Sequence, residues 1–132
     1  MSSTQSNQPA IEYIAGSCNI GPAEIKRRYQ AAIFGGVAYL ISAVALIARD
    51  ASTATRLVAF LPAMAASVGY VQARRKFCLA YGLAGLFSLE KAGATTKVKD
   101  PIALKADRAY ALKILGISSL PAIVLTAVVV LL

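Results

Sequence analysis

Residues 31–48 read AAIFGGVAYLISAVALIA, a run without a charged side chain. A helix rises 1.5 Å per residue, so about 19 residues cross the roughly 30 Å hydrocarbon layer of a bilayer. With Gln30 this run is one membrane span, 30–48. Gly21-Pro22 opens its helix, because proline at the first helical position gives up only an N–H that would be unpaired anyway. Glu24 follows, then Lys26, Arg27 and Arg28.

Working outward, Leu57–Val71 is a shorter apolar run that contains Pro62. It reaches spanning length as 54–73 by recruiting its flanks, with Arg56 snorkelling outward and Arg74, Arg75 and Lys76 as its stop. Asp100-Pro101 has the form of a helix start, an N-cap followed by proline. The amphipathic stretch after it, with Lys105, Asp107, Arg108 and Lys113, feeds a third span at 114–132. Pro121 frees the Ile117 carbonyl, and Ser118 and Ser119 are placed to compensate.

Composition agrees with these runs. Of 132 residues, 58% are hydrophobic and 15% charged, and mean hydropathy is +0.63. Soluble domains carry roughly 45–50% and about 25%, so neither a soluble globule nor a disordered chain fits. The expected fold is an all-α integral membrane protein, a bundle of three transmembrane helices. Residues 1–21 read as a flexible polar tail and surface segment, and 22–132 as a single membrane domain.

Phe77–Leu89 is too short to span and is expected to form an interfacial or re-entrant helix. Charge supports leaving it out of the spans. With three spans, twelve of the fourteen Lys/Arg fall on one side, three before residue 30 and nine between 72 and 113. Positive charge marks the cytoplasmic side. The expected location is the cell (inner) membrane, with the N-terminus cytoplasmic and the C-terminus outside. Lys26-Arg27-Arg28 before an apolar run resembles an export signal, but two further spans argue against cleavage.

Chemistry is sparse. The chain has no His, which excludes imidazole bases and His-ligated metals. No ionisable group lies inside the apolar runs, so a single-chain pump or charge-coupled transporter does not fit. Tyr39, Ser42, Ser67, Tyr70, Ser118, Ser119 and Thr126 are the polar groups at depth, read as hydroxyls bonded to backbone or across helices. Cys18 and Cys78 share the reducing side; they could hold a soft metal such as Cu(I), although nothing in their spacing demands it. No cofactor, catalytic residue or nucleic-acid partner is expected.

Small residues form the clearest pattern. Ala31, Gly35, Ala38, Ser42 and Ala45 recur in the first span, and Ala59, Ala63, Ala66, Tyr70 and Ala73 in the second. Such seams let helix backbones approach closely, and the two are expected to face each other in a tight hairpin. Cys78, Gly82 and Gly85 make a third small face, expected to pack inward or to meet a partner. Lys26, Arg27, Arg28, Arg74, Arg75 and Lys76 are placed to contact anionic lipid. The motif NIGPAEIKRR, 19–28, combines a fixed turn with acid and base.

The expected role is association, as an accessory or scaffolding subunit of a larger membrane complex, with lipid and other subunits or copies of itself as partners. The alternative is a homo-oligomeric small transporter or channel for a small or weakly polar solute.

Overall fold

A computed structural model of the chain describes residues 12–132. The expected tail lies largely outside these residues. Three helices are long and apolar enough to cross a membrane. They are α1 (Pro22–Ala48), α2 (Thr53–Arg75) and α4 (Pro101–Leu131). Between α2 and α4 lie the short helix α3 (Leu79–Ala84) and an antiparallel pair, β1 (Leu86–Phe87) and β2 (Thr96–Lys97), with Leu86 opposite Lys97.

The sequence signals at the helix starts are used. Pro22 stands at the start of α1, and Asp100 caps α4 by accepting from the Ile102 N–H at 3.1 Å. In α2 the residues Leu57–Ala59 form a 3₁₀ turn before the helix resumes at Phe60. Pro62 therefore falls in the first turn of that segment, where a missing N–H costs little.

The middle helix organises the layer: α1 and α4 each pack along α2 and scarcely on one another. Where the outer two do meet, the Tyr39 hydroxyl donates to the Leu125 carbonyl at 2.9 Å. Ser67 Oγ donates to the Ser118 carbonyl at 2.6 Å, and Thr126 Oγ1 to that of Ala122 at 2.7 Å. These depth hydroxyls bond as expected. The serines near Pro121 do not: Ser119 donates to Leu115 rather than to the Ile117 carbonyl, and Ser118 Oγ is buried without a partner.

Helices α1 and α2 do form a hairpin, through only part of the expected seams. A Cβ on Gly35 would sit 2.5 Å from the Ala66 nitrogen, and one on Gly69 would sit 2.8 Å from that of Ala32. The register in α1 differs by one position from the expected seam. Gly35 and Tyr39 are buried and Ser42 is half-buried, but Ala31, Ala38 and Ala45 are exposed. Alanine fits either face, so its spacing could not fix which side turns inward. In α2, Ala59, Ala63 and Ala73 are buried, Ala66 is half-buried and Tyr70 is exposed.

Two further expectations are corrected. Arg56 does not snorkel outward: it is 7% exposed, and its guanidinium turns onto the Ala51 and Val129 carbonyls at 2.9 Å each. Val129 lies in the last turn of α4, and its carbonyl gives the desolvated arginine an acceptor there. The second correction concerns Phe77–Leu89, which is not one helix. Only Leu79–Ala84 is helical; Gly85 follows at φ +76° and the chain turns into β1.

Candidate functional site

The charged, loop-bearing end of the bundle is closed by a cap built from residues 13–21 and 77–98. Asn19 in the cap, and Glu24 and Asp107 on the helices it covers, are each at most 1% exposed.

Glu24 sits on the first turn of α1, where a carboxylate suits the helix dipole. It accepts from Arg28 Nη1 at 2.9 Å, the Tyr81 hydroxyl at 2.7 Å and the Gly93 N–H at 2.7 Å. One acidic side chain thus joins α1, α3 and the loop between the strands. Arg28 lies over the Tyr81 ring, and its Nη2 donates to Cys78 Sγ at 3.1 Å. The phenol of Tyr81 is held above its ordinary pKa by burial and by the Glu24 carboxylate it donates to, with Arg28 opposing.

Asn19 performs the second junction. Its carboxamide pairs with both backbone groups of Cys78, its N–H donates to the Lys76 carbonyl, and its carbonyl accepts from Ser88. Ile20 beside it is fully buried. A Cβ on Gly21 would overlap the Leu89 carbonyl, so only glycine lets the two segments pass. Residues 18–21 are therefore interior, a correction to the surface segment expected there.

Asp107 makes the third junction. It accepts from the Tyr13 hydroxyl at 2.6 Å and the Gly16 N–H at 2.7 Å. Burial and the Asp107 carboxylate both push the Tyr13 phenol above its ordinary pKa. The Tyr13 ring stacks on Phe87 at 4.7 Å. Glu24, Asn19 and Asp107 were absent from the candidates drawn from sequence. The signal available was NIGPAEIKRR, whose Asn19, Ile20, Gly21, Glu24 and Arg28 all serve the cap.

The predicted site residues divide accordingly. Gly82 is buried, and a Cβ there would meet the Phe77 ring at 2.7 Å and the Asp107 carbonyl at 3.1 Å. Gly85 abuts Leu104. The small face is thus turned inward, Gly82 and Gly85 onto this chain's own α4 and Cys78 onto Asn19 and Arg28. Cys18 and Cys78 are free and buried, and burial raises the Cys18 thiol. Among the described residues no three His, Cys, Asp or Glu side chains gather in metal-binding reach. Lys26, Arg27, Arg74, Arg75 and Lys76 are exposed. Arg28 is not available in the same way, since its side chain is 15% exposed and paired with Glu24.

The arrangement is a clasp: acid, amide and arginine are consumed in holding α3 and the strands onto the helix ends. Compared with protein-family models, curated proteins and solved structures, the chain finds no match.

Proposed function

We propose that this chain is a multi-span protein of the inner membrane, N-terminus cytoplasmic and C-terminus outside, that works by association as an accessory or scaffolding subunit of a larger membrane complex. The observation that carries the reading is where polarity is spent. Glu24, Arg28, Asn19, Gln72 and Asp107 all bond within the cap. The outer helices instead present large apolar side chains outward, including Ile33, Phe34, Leu40 and Ile41 on α1 and Leu120 and Val124 on α4. Such faces are stable against lipid or other helices.

On this reading, α3 and the strands lie at the cytoplasmic surface rather than dipping into the bilayer. Gly82 of α3 and the Gly85 that leads into β1 pack on Asp107 and Leu104 of α4, and at 1.5 Å per residue Asp107 stands about 10 Å before the apolar run starting at Ile114. Lys26, Arg27, Arg74, Arg75 and Lys76 form the ring nearest the headgroups, a place that favours anionic lipid.

The test is a native mass of the protein, extracted gently from its own membrane, with every co-purifying component identified. A defined complex with other subunits in fixed ratio is expected. A monomer or homo-oligomer with nothing else attached would overturn the accessory role and direct attention to solute flux in vesicles.

A further inference from the structure

The helix α4 runs well past the start of its apolar stretch, and the extension carries charge that the headgroup ring does not account for. Arg108 and Lys105 precede Ile114 by about 9 and 13 Å along the axis, at 1.5 Å per residue. Lys97 and Lys99 lie earlier still in the chain. The polar layer of a bilayer adds only about 5–7 Å on each side. These four residues are all exposed. In their midst Ile102 is 80% exposed, one helical turn from Lys105.

Two acids that could neutralise this surface are withdrawn from it. Glu24 and Asp107 are buried and fully engaged. Within 97–108 one exposed acid remains, Asp100, which caps the helix through the Ile102 N–H and keeps its charge, against four exposed cations.

We propose that Lys97, Lys99, Ile102, Lys105 and Arg108 form a docking surface for an acidic protein segment whose apolar side chain seats on Ile102. An apolar centre inside a charged rim is the anatomy of a protein interface. Single-stranded nucleic acid would call for aromatic platforms, but Tyr13 and Phe87 stack on each other and Tyr110 packs edge-on against Phe77. The height of the surface argues against the protein's own bilayer as its ligand. The inference rests on the membrane orientation proposed above.

The test uses the full chain in nanodiscs of neutral phosphatidylcholine. The probe is a labelled 20-residue helical peptide of glutamate with one leucine stripe. Its controls are the same peptide with serine for leucine, a 20-nucleotide uridine RNA, and discs containing anionic lipid. Peptide binding is expected to fall at least about tenfold in K105E/R108E, since close interfacial charge pairs carry that much coupling. It should fall several-fold in Ile102→Ser and stay within about twofold in R74Q/R75Q/K76Q. Equal binding of the serine peptide, tighter binding of the RNA, or loss of binding on adding anionic lipid would each overturn the proposal. Entry into discs with no peptide binding overturns the docking surface alone. Failure of the folded chain to enter discs would overturn the membrane reading beneath it.

Discussion

Asn19 and Cys78, 59 positions apart, are joined like a base pair: the Cys78 N–H donates to Asn19 Oδ1 at 2.7 Å, and Asn19 Nδ2 donates to the Cys78 carbonyl at 3.1 Å. Both residues are buried, so water cannot replace either bond. Removing one partner strands two backbone groups, each costing about 1–3 kcal/mol. Asn19→Ala is therefore expected to lower the unfolding free energy in detergent by about 2–6 kcal/mol. Alkylation of Cys78 should accelerate in parallel, because the cap must open to expose it. An alkylation rate unchanged from wild type would show that the pair does not hold the cap.

Gly35 and Gly36 are adjacent in sequence and opposite in consequence. A Cβ at Gly35 would press on the Ala66 backbone, while one at Gly36 meets nothing within 4 Å. Gly35→Ala must push α1 and α2 apart, an overpacking cost of about 1–3 kcal/mol. Gly36→Ala should be neutral or stabilising by up to about 1 kcal/mol through helix propensity. Thermal unfolding of the two variants in one detergent measures the contrast.

These glycines also show what was legible beforehand. Apolar run length set the three long helices, and Asp100-Pro101 and Gly21-Pro22 marked two of their starts, because those signals are local. Which face of α1 turns inward was not legible, since alanine is compatible with either side. The cap was hidden for a different reason. Glu24 and Asp107 look like ordinary solvated acids near helix ends until their partners arrive from residues 81, 93, 13 and 16. Long-range pairing of that kind leaves no periodicity.

Arg56 supplies a partner for the Val129 carbonyl at the far end of the bundle. Arg56→Leu keeps the apolar bulk and deletes the donors, so the last turn of α4 should fray. Hydrogen exchange at Val128–Leu132 is expected to rise at least about fivefold, the counterpart of roughly 1 kcal/mol per lost bond. Asp50→Ala should leave it unchanged, because that carboxylate is fully exposed at 3.5 Å from the guanidinium and solvent screens the pair.

The link between Tyr13 and Asp107 gives the cap an alkaline limit. The folded-state pKa of Tyr13 is raised by burial and by its carboxylate partner. The stabilisation is therefore complete below the ordinary tyrosine pKa of about 10 and is lost as pH rises beyond it. Tyr13→Phe should be less stable than wild type at neutral pH, and the gap should narrow above about pH 10. Parallel urea titrations across pH measure it; a gap independent of pH would mean that the phenol does not carry the link.

The proposed orientation rests on the division of charge between the two ends of the bundle. The exposed Arg49 lies on the α1–α2 connection, and the exposed Lys91 lies in the cap loop. If the basic end faces the cytoplasm, a membrane-impermeant thiol reagent added to intact cells should modify Arg49→Cys and spare Lys91→Cys. In inverted vesicles the pattern should reverse. Wild type serves as the blank because Cys18 and Cys78 are both buried. Labelling of Lys91→Cys from outside would invert the topology, and the basic surface on α4 would then face a compartment where an acidic cytoplasmic partner could not reach it.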